Sequence, residues 1–259
     1  MNIFYSILLG IIQGLTEFLP ISSSGHLVIF QKLLGITKGQ LTFNIFLHFG
    51  TLIPVLIIFW DDIRDIILLK KSKKHLIWLI LIGTIPTGMI GILFEDFFKG
   101  LFSSVTNTGY MLLVTGTLLL IAEKLSNSKR NIDEFKTSNS VIVGIAQGLA
   151  IIPGISRSGS TIVASLLQDL NREEAARFSF LLSIPAIGGA GILELKDAIT
   201  IGLSGISWIA IITGTLASAI AGYIAIKYLL HILKNGSLVV FSYYCWFLGL
   251  LTIIITKLY

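Results

Sequence analysis

The sequence predicts an all-α integral membrane protein built as an inverted-topology repeat, in which each half has one re-entrant helix pair and three transmembrane helices. Three observations support this prediction. The 259 residues are 54% hydrophobic and only 13% charged, whereas soluble domains average about 25% charged residues. Six windows approach the ~20 apolar residues that cross a bilayer as a helix. One unusual motif occurs twice, at residues 10–29 and 144–163.

The duplicated motif is the most informative of these observations. The first copy reads GIIQGLTEFLPISSSGHLVI and the second reads GIAQGLAIIPGISRSGSTIV, with 9 of 20 positions identical and no gap. The identities fall on Gln, Gly and Ser as well as on apolar residues, so shared hydrophobicity does not explain them. Where the first copy has Glu17, Ser23 and His26, the second has an isoleucine, Arg157 and a serine. We therefore predict an ancestral pair that has divided the chemistry of a single site.

Each half begins with an apolar region that is broken in the middle. Residues 2–34 break at LPISSSG, and residues 141–168 break at PGISRSG. Proline and glycine interrupt a helix at these points, and the serines can cap a new helix. Non-helical backbone at membrane depth requires surrounding protein or a watery cavity. We therefore predict two re-entrant helix–loop–helix pairs.

Each broken region is followed by three apolar windows of membrane length. Three crossings leave the chain on the opposite face of the membrane, so the second half would start inverted. Within a single membrane domain we expect a first repeat (1–125), a polar hinge (126–139) and a second repeat (140–259). The six predicted transmembrane windows are residues 43–60, 75–94, 106–124, 176–195, 206–230 and 238–257.

The distribution of lysine and arginine agrees with this arrangement. With the N-terminus outside, thirteen of these residues fall on the inner side and five on the outer side, leaving Arg157 aside. Such a bias is the usual indicator of orientation, and it explains the net charge of +5 without a nucleic-acid partner. The lone Cys245 excludes an internal disulfide. We expect a multi-pass protein of the cell (plasma) membrane whose site opens to the outer face.

Two polar residues of the first broken region are candidates for a functional site. Gln13 and Glu17 are four residues apart, so they share one face of a helix. An ionisable residue inside a membrane segment is costly and is a functional candidate by default. The alternative is a structural carboxylate that is paired at the mouth of the helix bundle.

Arg157 lies at the second break, one residue from the point where a helix should restart. Its guanidinium matches phosphate oxygens in a bidentate fork, and a helix N-terminus adds free N–H groups and a positive dipole end. This combination predicts a phosphate or diphosphate site, whereas the alternative is an arginine that extends to the membrane surface. The neighbouring small residues that could contact such a substrate are Ser156, Ser158, Gly159 and Thr161.

The run SSSGH at residues 22–26 occupies the same place in the first copy. Ser23 beside His26 could be an activated nucleophile, with the histidine acting as base and then as acid. Alternatively, His26 itself attacks or activates water, or the serines only cap the helix. We expect Ser22 and Ser24 to contact the substrate. The residues alone do not separate these alternatives.

These stretches resemble the two signature motifs of the undecaprenyl-diphosphate phosphatase family, also called the bacitracin-resistance protein family. The similarity rests on QGLTEFLPISSSGHL and PGISRSG, continues in RFSFLLSIP at 177–185, and covers essentially the whole chain. It implies an integral membrane hydrolase that releases one phosphate from undecaprenyl (polyprenyl) diphosphate. This reaction recycles the lipid carrier of cell-envelope glycans and confers bacitracin resistance. The resemblance also implies that the two re-entrant loops meet near the membrane centre.

The resemblance further implies roles for individual residues. It implies a divalent cation, Mg²⁺ or Ca²⁺, held partly by Glu17. Some members have a second glutamate where this chain has Gln13, which can supply only a neutral oxygen. Matched position by position, the family's carboxylate, serines, histidine and phosphate-binding residues fall on Glu17, Ser22, Ser23, His26, Ser156, Arg157 and Thr161.

Two other classes of protein stay open at this point. Inverted repeats with broken helices at the midplane also form secondary transporters, so a transporter or flippase of a phospho-lipid or anion fits the architecture. An intramembrane serine protease would use a Ser–His pair but would leave Arg157 without a role. The chemistry at the two breaks favours the phosphatase. The sequence leaves open a homo-oligomer, the prenyl chain length and the identity of the attacking group.

Overall fold

The computed structural model describes residues 2–36, 40–102, 104–201 and 207–258, which are mostly helical and contain no extended strand. The predicted all-α class is therefore confirmed. Within these ranges there are twelve α-helices: α1 Ile3–Phe18, α2 Ser23–Leu33, α3 Gln40–Ile58, α4 Trp60–Ile67, α5 Lys74–Leu93, α6 Glu95–Leu101, α7 Val105–Leu125, α8 Thr137–Leu149, α9 Arg157–Leu166, α10 Arg172–Ile201, α11 Trp208–Asn235 and α12 Val239–Leu258.

Five regions, at α5, α7, α10, α11 and α12, are long and apolar enough to cross a membrane. They match five of the six predicted windows, although residue 206, where one window starts, lies outside the described residues. The remaining window, 43–60, corresponds to α3. After Ile58 the chain bends by 87° into α4. Asp61 and Asp62 lie in the first turn of α4 and end the apolar run. Thr42–Ile58 counts as a sixth span only together with α4.

Both broken regions form two helices joined by a non-helical turn, as predicted. In the first turn Ser22 has a φ of 69°, and its Oγ accepts a hydrogen bond from the backbone N–H of Gly25 at 3.2 Å. In the second turn Gly154 has a φ of 98°, and Oγ of Ser156 accepts from the N–H of Gly159 at 3.0 Å. A serine cap at the same position of the motif therefore starts both α2 and α9, and the predicted breaks and caps are confirmed.

The first helix of each broken region packs against a long helix through a pair of glycines. Gly10 of α1 contacts Gly214 of α11, and its counterpart Gly144 of α8 contacts Gly83 of α5. A Cβ atom at Gly10 or Gly144 would overlap the carbonyl oxygen of the partner glycine. The two contacts occupy matching places in the two halves. They support the predicted repeat, whose inversion in the membrane stays a prediction.

The two turns contact each other directly. Oγ of Ser158 donates to the carbonyl of Leu19 at 3.1 Å, and Oγ of Ser22 donates to the carbonyl of Ile155 at 3.3 Å. Thr115 of α7 bonds to the second turn from behind, through one accepted and one donated hydrogen bond. The expectation that the two loops meet is therefore confirmed. Their polar side chains are therefore brought to one place inside the bundle.

Candidate active site

Glu17 is the centre of the polar cluster between the turns, and its side chain is only 4% exposed. Its Oε1 accepts a hydrogen bond from Nη2 of Arg157 at 2.6 Å. Its Oε2 accepts from Oγ of Ser23 at 2.6 Å and from Nε2 of Gln13 at 2.8 Å. A buried ion pair is tolerated when further hydrogen bonds satisfy the charged groups. Both carboxylate oxygens are thus engaged, and they join one copy of the motif to the other.

The duplicated backbone explains why these side chains meet. Ser23 and Arg157 are equivalent positions of the motif, and each is the first residue of its helix, directly after a serine cap. Because the two turns face each other, the two side chains bond to the two oxygens of one carboxylate. The N-termini of α2 and α9 also bring positive dipole ends to the same place. The local fold therefore favours an anion here.

A cavity of about 200 Å³ lies beside this cluster. One part of its wall is apolar and comes from α3, the turn before α9 and the middle of α10, including Ile45, Ile155 and Ile187. The other part is polar. A cavity with these two parts suits an amphiphile that has a charged head and an apolar tail. The polar lining residues are Glu17, Ser23, Ser24, His48, Thr87, Gln147, Arg157 and Glu194.

Three buried side-chain atoms have no hydrogen-bond partner among the described residues: Nη1 of Arg157, Oε1 of Gln13 and Oε1 of Gln147. Leaving a buried polar atom unpaired costs about 1–3 kcal/mol. The unpaired N–H of Arg157 suits an anionic oxygen, whereas the two amide oxygens suit a cation or an O–H or N–H donor. A bound phosphate and a bound cation would supply the partners that these three atoms lack.

The orientation of the Gln147 amide is fixed by its neighbour Thr87. The hydroxyl of Thr87 donates its only proton to a backbone carbonyl, that of Gly144 at 2.9 Å or Gly83 at 3.2 Å. It can therefore only accept from Gln147, whose Nε2 lies 3.1 Å away. Oε1 of Gln147 is consequently the atom left without a partner.

The donor set fits a hard divalent cation that binds together with a phosphate. In the part of the chain that the structure describes, no group of three or more His, Cys, Asp or Glu side chains could hold a metal ion. Glu17 offers one carboxylate, and Gln13 and Gln147 offer two unpaired amide oxygens. Mg²⁺ is commonly bound by one or two carboxylates plus substrate phosphates. Because both oxygens of Glu17 already accept hydrogen bonds, a cation would have to replace one of these bonds.

His26 is not brought to Ser23 in this structure. The imidazole is 2% exposed, and both of its nitrogens are already engaged. Nδ1 lies 2.7 Å from the carbonyl of Ser22, and Nε2 lies 2.7 Å from the hydroxyl of Tyr244 on α12. The hydroxyl of Ser23 bonds to Glu17 instead.

The other predicted substrate contacts lie in three different settings. Ser24 lines the cavity. Ser22, Ser156, Ser158 and Gly159 instead form the hydrogen bonds that shape the two turns. Thr161 is fully buried and bonds to Ser179 of α10 at 2.6 Å. Substrate contact by these residues stays a prediction.

Sequence reasoning missed three residues near the cluster: Gln147 and Thr87, which line the cavity, and Tyr244, which bonds to His26. Gln147 occupies the place of Gln13 in the second copy, so the repeat itself could have indicated it. Thr87 and Tyr244 lie in apolar windows without any motif, so no signal pointed to them. His48 also lies beside the cluster, with its Nδ1 3.0 Å from Nε2 of Gln13 and 3.5 Å from Oε2 of Glu17.

The apolar helices and the buried Arg–Glu–Ser cluster at two facing helix breaks are those of an integral membrane protein with a polar site inside its helix bundle. A family model described as bacitracin resistance protein BacA matches residues 6–251. The chain therefore belongs to this family. The undecaprenyl-diphosphatase of Halothermothrix orenii is 64% identical over 259 residues, which cover both chains completely. Proteins of the same name from Carboxydothermus hydrogenoformans and Methanosphaera stadtmanae are 48% and 43% identical, and 98% and 99% of each chain is covered.

Proposed function

We propose that this protein hydrolyses undecaprenyl diphosphate to undecaprenyl monophosphate and inorganic phosphate. The observation that carries the proposal is the bonded cluster of Glu17, Ser23 and Arg157 at the facing helix breaks, in a chain whose relatives bear the name of this enzyme. Such an activity recycles the lipid carrier for cell-envelope glycans and confers bacitracin resistance. The transporter alternative finds no support in the relatives.

Substrate binding follows from the unpaired donor and the two helix N-termini. Nη1 of Arg157 is free for a phosphate oxygen, and the N-termini of α2 and α9 favour negative charge at the same place. The apolar wall of the cavity, with Ile45 and Ile187, suits the first isoprene units. The rest of the tail stays in the lipid.

Ser23 is the attacking group that the geometry favours. Its Oγ bonds to the terminal phosphorus as its proton passes to Oε2 of Glu17, 2.6 Å away. The bond from that phosphorus to the bridging oxygen breaks, and undecaprenyl monophosphate leaves with the electron pair and takes the proton from Glu17, which is a carboxylate again. Water then attacks the phosphoserine and gives a proton to Glu17, the bond from phosphorus to Oγ breaks, and inorganic phosphate leaves as Glu17 returns this proton to Ser23. Phosphoryl transfer depends mainly on positioning and electrostatics, so few residues suffice.

The ion pair with Arg157 ties the basicity of Glu17 to substrate binding. As long as Nη2 of Arg157 bonds to Oε1, the carboxylate is stabilised in its charged form and is a weak base. A diphosphate that draws the guanidinium toward itself weakens this bond. Glu17 then accepts the proton of Ser23 more readily, at the moment when the phosphate is in place.

A divalent cation, Mg²⁺ or Ca²⁺, is part of the proposal. Glu17, Gln13 and Gln147 are the residues that would hold it. When bound, it supplies positive charge that offsets the negative charge of the phosphates.

We place the protein in the plasma membrane, with the site opening to the outer face. The excess of Lys and Arg on the predicted inner side supports this orientation. Every residue of the cluster comes from one chain, so the proposed reaction requires no second copy.

The proposal is tested with purified protein in detergent and undecaprenyl diphosphate labelled in the terminal phosphate. We expect labelled phosphate to be released with one equivalent of prenyl monophosphate, and acid quenching to trap label on the protein. Ser23→Ala should abolish the trapped label. Folded protein that releases no phosphate would overturn the function. Release without trapped label would mean that water, and not Ser23, is the attacking group.

A further inference from the structure

The hydrogen bonds of His26 fix the tautomer of its ring. The carbonyl of Ser22 can only accept, so Nδ1, 2.7 Å away, carries a proton. In the neutral ring Nε2 is then an acceptor, and the hydroxyl of Tyr244 donates to it at 2.7 Å. The planes of the two rings are parallel within 2°, and their centroids are 5.7 Å apart. A charged ring would be buried without a bonded carboxylate, which is costly.

The carbonyl that His26 holds belongs to a strained residue. Ser22 has a φ of 69°, which residues other than glycine rarely adopt. Its carbonyl accepts both Nδ1–H and the backbone N–H of His26, at 2.7 and 3.2 Å. Ser22 directly precedes Ser23, whose hydroxyl bonds to Glu17. Strain of this kind persists only where the surroundings enforce it, and it concentrates at active sites.

We infer that Tyr244 is a positioning residue of the reaction. Its hydroxyl keeps His26 in the Nδ1–H tautomer, this tautomer holds the carbonyl of Ser22, and the turn thereby presents Ser23 to Glu17. His26 is then also a positioning residue. It has no free lone pair with which to take the proton of Ser23. The inference uses the proposed function only in taking Ser23 as the attacking group.

A comparison of two amides at position 26 tests this role. The side-chain nitrogen of asparagine can replace Nδ1–H as a donor to Ser22, whereas that of glutamine reaches toward the place of Nε2. Loss of one hydrogen bond lowers kcat about three- to tenfold, whereas loss of a general base lowers it about 10²- to 10⁴-fold. We expect His26→Asn to keep kcat within about threefold of the wild type, and His26→Gln and His26→Ala to lose about three- to tenfold, because both lack the bond to the carbonyl of Ser22. Equal losses in all three variants, or losses of about 10²-fold or more, would overturn the inference.

Tyr244→Phe tests the tyrosine itself, and Tyr243→Phe is its matched control. Tyr243 is the preceding residue of α12 and is 60% exposed. We expect Tyr244→Phe to lower kcat about three- to tenfold with KM unchanged, because one hydrogen bond is lost. Tyr243→Phe should match the wild type.

The tautomer of His26 is measured independently of activity by ¹⁵N NMR. The protein is labelled with ¹⁵N-histidine, and the chain has four histidines. We expect one neutral Nδ1–H ring in the wild type and in Tyr243→Phe, and an altered signal in Tyr244→Phe. A change in kcat without a change in the ¹⁵N signal, or the reverse, would overturn the inference. If the wild type releases no phosphate, the proposed function fails while the tautomer is still measured.

Discussion

The two helix breaks share a backbone design and differ in charge. In each break a serine caps the second helix, and a turn hydroxyl bonds to a carbonyl of the other turn. The first helical residue is Ser23 in one copy and Arg157 in the other, and both bond to the same carboxylate of Glu17. The repeated motif thus supplies two equivalent positions that face one carboxylate. Because the residues at these positions differ, the site is asymmetric.

The breaks also differ in how their turns are stabilised. The second turn has Gly154 at positive φ, where a Cβ atom would overlap the carbonyl of Thr108. The first turn has Ser22 at positive φ, and His26 with Tyr244 holds it in place. A glycine adopts this conformation at little cost, whereas a serine does so only under constraint. The copy that carries the hydroxyl nearest the carboxylate is therefore the strained one.

The largest effect should come from removing the guanidinium group of Arg157 at the second break. We expect Arg157→Ala to lower kcat/KM by about 10³-fold, the loss seen when a donor to a developing oxyanion is removed. Arg64→Ala, on the exposed face of α4, is the control and should match the wild type. The assay is phosphate release in detergent. An active Arg157→Ala protein would mean that the second break does not bind the substrate.

The packing of the two breaks should be equally sensitive to an added methyl group. Because a Cβ atom would overlap a backbone carbonyl, Gly10→Ala and Gly144→Ala should each destabilise the fold by about 1–3 kcal/mol. Gly188→Ala is the control, since a Cβ atom there meets nothing within 4 Å. Thermal unfolding in detergent measures the difference. Stability equal to that of the control would contradict the close glycine contacts.

The serine caps provide a smaller and more symmetric comparison. Ser22→Ala and Ser156→Ala should each lower the free energy of unfolding by about 1 kcal/mol, since each removes one cap. The control is Ser24→Ala, because Ser24 caps no helix. Chemical denaturation of the purified protein reports the values. A loss at Ser22 several times larger than at Ser156 would show that the two turns are not equivalent in stability.

The smallest effect is expected at the position where this chain departs from some family members. In Gln13→Glu, a protonated carboxyl can still donate to Glu17, or a cation can separate the two carboxylates. We expect kcat within about tenfold of the wild type and a lower Mg²⁺ concentration for half-maximal activity, because the cation gains a charged ligand. An unchanged Mg²⁺ requirement would remove Gln13 from the proposed ligands.

Local rules were sufficient to predict the breaks, the helices and the capping serines. The backbone conformation at the breaks follows from Pro20, Gly154 and the capping serines themselves. Apolar windows of membrane length predict the spans. The partners inside the site depend instead on long-range packing. Tyr244 is 218 positions from His26 and lies in an apolar run. No periodicity could therefore connect the two residues.

The pairing of hydroxyls was equally hidden from the sequence. The proximity of Ser23 and His26 in the chain favoured a Ser–His pair, but the turn at Ser22 directs the hydroxyl of Ser23 to Glu17. Thr161, three residues after Ser158 in the second motif, bonds to Ser179 of α10. A motif indicates which residues are near one another, while the turn geometry decides which atoms meet.

The central claim is that the two breaks form one site through Glu17 and Arg157. A double-mutant cycle on kcat/KM for phosphate release tests it most directly, with Glu17→Gln, Arg157→Ala and the combined variant. Residues that act as a unit give strongly non-additive losses. We predict that the combined variant is about as slow as the slower single variant. A combined loss equal to the product of the two single losses would contradict a shared site.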